Sequence, residues 1–205
     1  GDCVAGYAIN NPDELKSAID CIAAPIEKRK IPWAIVFGNH DQEHYPRTKI
    51  DKDEVLKMYA KYSCNLNTRG DRKIHGAGNS YLLVNDKTGK NPIFALWLID
   101  SNEYAPKEIG GYGWIHSDQV SWYVKSSENL EKKYKHKIPG IMYFHIPVRE
   151  FGEMTKNTKY QGDRYEDEGS SKVNSGLFSA VLDRGDVKGM FCGHEHINNY
   201  IGEWM

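Results

Sequence analysis

The sequence predicts an α/β domain built on mixed β-sheet. Short apolar runs of strand length alternate with segments of helical period. Two runs, 81–84 and 93–99, are separated by turn residues and read as a hairpin, whereas later runs return only after helix-length crossovers, so antiparallel and parallel pairing should share a sheet. Three runs also end where histidines cluster: Gly38-Asn39-His40-Asp41 follows 33–37, Phe144-His145-Ile146-Pro147 ends another, and Gly193-His194-Glu195-His196 follows 189–192. Four of the eight histidines fall in these motifs, which makes the strand ends the candidate site.

Each element has its own local reason. Asn11, Pro12, Asp13 and Glu14 supply an N-cap, a first-turn proline and an acidic first turn. Leu15, Ala18, Ile19, Ile22, Ala23 and Ile26 then repeat at helical spacing, with Pro25 as a kink. The run 31–37 reads as a strand entered at Pro32. Asp51 with Glu54 resembles a capping box in front of Val55, Met58, Tyr59 and Tyr62. After the hairpin, Ser117 opens a helix carrying Val120, Tyr123, Val124 and Tyr134; 138–144 is a strand, 175–182 a helix and 188–192 a last strand. The segment 148–172 is polar, charged and without period, and reads as a lid over the site or a mobile loop. No repeat, low-complexity tract or domain boundary interrupts the chain, which reads as one partial domain, 1–205.

Composition narrows the function classes. A chain of 205 residues can bury a core. A formal net charge of -1 leaves no electrostatic footprint for nucleic acid. No apolar run reaches the roughly 18 residues of a membrane-spanning helix, so membrane insertion is not expected. Cys3, Cys21, Cys64 and Cys192 are widely spaced and read as free thiols. The absence of Asn-x-Ser/Thr sequons favours an intracellular protein.

The motif residues point to metal chemistry. Asn39, His145, His194 and His196 offer one amide oxygen and three imidazoles, a set suited to Mn, Fe or Zn rather than Ca. Asp2 adds a carboxylate able to bridge two ions. Two such ions can activate water and clamp both oxygens of an in-line displacement at phosphorus. His40, beside a ligand, could protonate the leaving oxygen or stabilise phosphoryl charge. Any one motif alone is a commonplace turn; their order and shared position after apolar runs favour the metal reading. His44, His75, His116 and His136 lie outside the pattern and read as surface or core residues. Glu195 reads as solvent-facing or as a support for the ligands, and Arg149 as a solvated arginine or a phosphate contact from the lid.

Gly-Asp, Gly-Asn-His-Asp, an isolated His and Gly-His-x-His in this order resemble the signature of the calcineurin-like metallophosphoesterases. Phe144-His145-Ile146-Pro147, Val173-Asn174-Ser175-Gly176, and Gly185-Asp186-Val187-Lys188 leading into Gly193-His194-Glu195-His196 are similar to its purple-acid-phosphatase-like branch. The resemblance implies an αββα sandwich of two mixed sheets flanked by helices, with two divalent metal ions at the strand ends. By motif, Asp2 would bridge both metals, Asn39, His145 and His194 would complete one, His196 would bind the other, and His40 would assist the phosphoryl group. It also implies a phosphomonoesterase using a metal-bound hydroxide on a phosphorylated small molecule or phosphoprotein. A phosphodiesterase or pyrophosphatase, or a non-catalytic protein-binding scaffold, are the rival readings.

Two departures accompany the resemblance. The family's Asp-x-His motif lies upstream of Gly-Asp, but this chain opens at Gly1 and ends at Met205 soon after the last motif. The expectation is therefore a piece of a longer protein, truncated at the N-terminus and the C-terminus, with one metal site incomplete and weak or absent activity of its own. True purple acid phosphatases also place a tyrosine three residues after the bridging Asp; here that position is Ala5, and Tyr7 is out of register.

Overall fold

The computed structural model describes residues 1–204. Its central sheet contains β1 (Ser80–Asn85), β2 (Pro92–Leu98), β3 (Gly140–Tyr143) and β5 (Val187–Phe191) in the order β1-β2-β3-β5. β1 and β2 form the antiparallel hairpin, with a register shift at Val84/Asn85, while β2/β3 and β3/β5 are parallel. The sheet is therefore mixed. A second, antiparallel pair joins β4 (Tyr160–Asp163) to β6 (Asn199–Gly202).

The helices are α1 (Pro12–Lys28), the single turn α2 (Tyr45–Thr48), α3 (Lys52–Tyr59), α4 (Ser117–Tyr134), α5 (Glu150–Asn157) and α6 (Leu177–Arg184). Their starts follow local chemistry. The Asn11 side chain accepts from the N–H groups of Asp13 and Glu14, and the Asp51 carboxylate from Glu54 N–H, satisfying donors that have no partner within the helix. α1 runs through Pro25 and ends one turn later at Lys28. α6 begins at Leu177 rather than 175: Gly176 adopts φ 82°, held by its N–H donating to Asn174 Oδ1, and this left-handed residue defers the helix. Gly185, again left-handed, closes α6 with its N–H on Val181 O.

Two apolar clusters hold the layers together. In the first, Ala95, Trp97 and Met142 of the sheet pack with Tyr123 and Leu130 of α4 and Leu177 and Val181 of α6. Trp97 is its centre, edge-on to Tyr123 with 4.9 Å between ring centroids. The second joins Leu15, Ile19 and Ala23 of α1 to Val55, Leu56 and Tyr59 of α3 around Trp33 and Phe37.

Two expectations are corrected. The run 31–37 is extended but forms no ladder among the described residues. Trp33 makes a single bridge to Asn65, and Ile35 is held at both N–H and carbonyl by the Asn67 side-chain amide. A side chain here does the work of a neighbouring strand. The segment 148–172, expected to lack structure, contains α5 and β4. α5 anchors through Met154, 6% exposed, and through Phe151, which packs edge-on against Phe144. Two apolar positions are too few to register as a period. The remainder is fastened by polar groups: Asn198 Oδ1 accepts from Tyr165 and Glu166 N–H, and Glu166 Oε1 accepts from His196 and Ile197 N–H.

The topology positions the site. β2, β3 and β5 run parallel, so the residues that follow them (Asp100 and Ser101, His145, and His194) emerge along one edge of the sheet.

Candidate metal centre

Ser101 fixes the turn after β3: its Oγ lies 2.9 Å from Ile146 N and 3.3 Å from His145 N, accepting from both. His145 is thereby set into the core edge, 2% exposed. The loop of Gly1 and Asp2 meets the Gly38–Asp41 turn through Asp41, whose carboxylate accepts from Val4 N–H at 2.7 Å and Gly38 N–H at 2.8 Å. Burial raises the Asp41 carboxyl against the pull of those two donors. The last residue of this motif is thus a structural clamp. His40 N–H donates to Asp2 Oδ1 at 2.9 Å, and a Cβ on Gly38 would lie 2.1 Å from that same oxygen, so only glycine allows the approach. The motif glycines act by closeness rather than by left-handed turns. Positive φ angles fall instead on two of the candidate donors, Asp2 at 50° and His194 at 79°, a backbone conformation uncommon outside glycine.

Asp2, His145 and His194 offer donor atoms that all lie within 4.8 Å of one another. Asp2 Oδ2 is 2.9 Å from His145 Nε2, and His194 Nδ1 is 3.3 Å from that same nitrogen. Metal bonds of about 2.0–2.2 Å place neighbouring donors roughly 2.9–3.4 Å apart, so both separations match edges of one coordination shell. A buried oxygen nearby, Asn39 Oδ1, has no hydrogen-bond partner. Buried acceptors left in this state are costly unless a cation satisfies them. Protonation states agree. Burial, with His145 adding to it, pushes the His194 imidazole down to about 4, so the ring is neutral at neutral pH and one of its nitrogens keeps a lone pair. Burial would raise the Asp2 carboxyl, but His145 and the His40 N–H outweigh it and hold it below the ordinary carboxylate range. A donor set of two imidazoles and a carboxylate fits a divalent first-row ion.

The other expected residues divide. Asn39 aims its Nδ2 at Tyr104 Oη, 2.9 Å away, leaving Oδ1 as the free acceptor. His40 turns its Nδ1 to Glu43 Oε2 at 2.7 Å. His196 is not brought into the three-donor group; its side chain is exposed and its N–H is taken by Glu166. Glu195 Oε1 accepts from Gly169 N–H at 2.6 Å, so it ties the 148–172 segment to the last motif. His44 is fully buried against Thr48, and His75 stacks on His116 at 3.8 Å, consistent with packing roles. All four cysteines are free, and burial pushes the Cys3 thiol up to about 11.

Sequence reading missed Tyr104, Tyr112 and Glu43. Tyr112 stands edge-on to His194 with centroids 4.2 Å apart, and Tyr104 pairs with Tyr112 in an isolated bridge. Nothing in the local pattern of 102–114 marks these tyrosines. Glu43 had one available signal, its spacing of three from His40.

Comparison with known proteins identifies the family. The family model for calcineurin-like phosphoesterases matches residues 1–198. The chain is 33% identical to "Probable inactive purple acid phosphatase 29" of Arabidopsis thaliana over 99% of its own length and 54% of that protein's. It is 31% identical to "Probable inactive purple acid phosphatase 14" of the same plant, over 96% and 53%. The "Phosphatase DCR2" of Saccharomyces cerevisiae is 29% identical over 86% of this chain and 32% of its own. The chain thus spans about half the length, or less, of these curated relatives. No solved structure matches. With the ligand motifs gathered at the sheet edge, the chain belongs to the calcineurin-like phosphoesterase family, in its purple-acid-phosphatase-like branch.

Proposed function

We propose that this chain is the core of a metal-dependent phosphomonoesterase. The observation that carries the reading is the Asp2, His145 and His194 group, with its donor spacing of one coordination shell and the orphaned Asn39 Oδ1 beside it. These four residues would hold one divalent ion of the Mn, Fe or Zn class, and Asp2 and His196 would serve a second. Ions so held activate a water and neutralise charge on a phosphoryl group. The chain's own residues supply the rest. The Asp2 carboxylate brings negative charge to the site, and the positive φ angles at Asp2 and His194 aim their donors inward. His40 presents its Nε2 from the same turn as Asn39, placed to protonate the leaving oxygen or to stabilise the phosphoryl oxygens.

The test uses the full-length protein, stripped with chelator and titrated with Mn²⁺ against an aryl phosphate. Turnover that appears with metal, and falls by about 10²–10⁴ in His40→Ala, is the expected result. Metal-independent hydrolysis, or full activity without His40, overturns it. Parallel assays on phosphodiesters and pyrophosphate define the bond cleaved. A second reading, a non-catalytic scaffold, is favoured by the names of the plant relatives, which call them "Probable inactive", and by the exposed His196. Less than one tightly bound metal per full-length chain would support it.

A further inference from the structure

We propose that Glu43, acting through Tyr104, is the positioning residue that orients both the Asn39 amide and the His40 ring. One carboxylate touches both ends of this arrangement. Glu43 Oε2 lies 2.7 Å from His40 Nδ1, and Glu43 Oε1 accepts from the Tyr104 hydroxyl at 2.7 Å. The Tyr104 oxygen in turn accepts from Asn39 Nδ2 at 2.9 Å. Asn39 and His40 are chain neighbours, so the four residues close a ring.

Proton accounting around that ring leaves one solution. A carboxylate only accepts, so the His40 nitrogen facing Glu43 must carry a proton, which leaves Nε2 as the position where the ring takes up or gives its second proton. Tyr104 has one hydroxyl proton, spent on Glu43, so toward Asn39 it can only accept. The Asn39 atom it meets must be the amide nitrogen, and Oδ1 is thereby turned away, where it lies buried without a protein partner. Both the tautomer of His40 and the direction of the Asn39 amide follow from Glu43. Glutamine could not replace it, because His40 and Tyr104 each donate to a different Glu43 oxygen and glutamine has an amide nitrogen, itself a donor, at one of those two places. Tyr104 remains a hydroxyl throughout: burial, reinforced by Glu43, pushes its ionisation up to about 12. Its loop is anchored independently by the bridge to Tyr112, which stands against His194.

The Asn39 half rests on the reading of Asn39 as a metal donor given above; the His40 half does not. Two measurements on the full-length protein separate them: Mn²⁺ affinity by calorimetry, and the His40 tautomer from ring ¹⁵N shifts in the metal-free state. Tyr104→Phe should weaken Mn²⁺ binding about tenfold, in the range that supporting residues of metal ligands command, and leave the His40 tautomer as it is. Glu43→Ala should weaken Mn²⁺ comparably and mix the tautomers, and the double variant should bind no worse than the weaker single one, because both act along one path. Glu43→Gln should restore one end only. Tyr104 is 48% exposed, so its loss of a hydroxyl does not threaten folding. Wild-type Mn²⁺ affinity in Tyr104→Phe, or an unchanged His40 tautomer in Glu43→Ala, overturns the proposal. If the wild-type protein binds no Mn²⁺, the metal reading fails while the tautomer measurement still decides the role of Glu43.

Discussion

Buried charge at the site edge is neutralised pair by pair. Lys52 is almost wholly buried, and its Nζ lies 2.8 and 2.9 Å from the two Asp100 oxygens and 2.5 Å from Glu103 Oε1. Burial alone would lower the Lys52 ammonium; the two carboxylates outweigh it and raise it. Asp100 also accepts from Ala77 and Asn102 N–H, so the pair joins α3 to the loops around the sheet edge. Removing one partner of such a pair leaves the other charge buried and uncompensated. Lys52→Met should therefore cost about 3–5 kcal/mol in chemical denaturation, although methionine fits the space. A loss under about 1 kcal/mol would show that Asp100 is satisfied by its backbone donors alone. Lysine at the start of an amphipathic helix reads as solvated, and only its contact with a carboxylate 48 residues away makes it structural. The motif residues are different. Asp2, His145 and His194 stood out in the sequence because few residue types can offer a metal a donor, and the fold brings these three candidates together.

At the scale of elements, the capped helices and the hairpin were legible, since their signals lie within a few residues of the feature they specify. The 148–172 segment was not, because its order comes from polar ties to 195–200. Glu168 is the clearest of these: Arg164 meets it through Nε at 2.8 Å and Nη2 at 2.9 Å, and Tyr200 Oη donates to it at 2.6 Å. Burial would raise the Glu168 carboxyl, but Arg164 and Tyr200 outweigh it and hold it at about 2. The folded carboxyl is thus more acidic than the unfolded one, near 4.3. Its stabilisation is complete above that unfolded value and is lost as pH falls toward about 2. Amide exchange, corrected for its intrinsic pH dependence, should show β4 and β6 losing protection between about pH 4 and pH 2 while the central sheet stays protected. Glu168→Gln should abolish that local pH dependence. Equal loss in both sheets would mean that the segment has no opening of its own.

For the whole molecule, the site and the fold are linked by what the strand ends must hold. The donors of the metal group come from the first loop and from the ends of β3 and β5, so an ion bound there ties distant parts of the chain to one point. Any ligand that binds the folded state alone stabilises it by mass action. Mn²⁺ at about a hundred times its dissociation constant adds roughly 2.7 kcal/mol, and for a chain of this size that raises Tm by about 5–10 °C. Asp2→Ala should erase the rise, and excess chelator should reverse it. An unchanged Tm at saturating Mn²⁺ would argue that the donors do not bind a metal together. Among the described residues no helix is long and apolar enough to cross a membrane.

The sequence by itself determined the α/β class, the helix caps, the hairpin and which residues are candidates to carry the chemistry. These depend on local periodicity and on residue types that few positions tolerate. Tertiary structure alone decided which of those residues meet. Parallel pairing of β2, β3 and β5 sets Ser101, His145 and His194 along one edge; Asn67 takes the place of a strand neighbour at Ile35; and His196 stays outside the three-donor group. The Glu43 and Tyr104 contact was likewise beyond the sequence, since it joins positions 61 residues apart. A hydrogen bond between remote side chains leaves no period and no spacing in the chain; only the packed fold brings its two ends within reach.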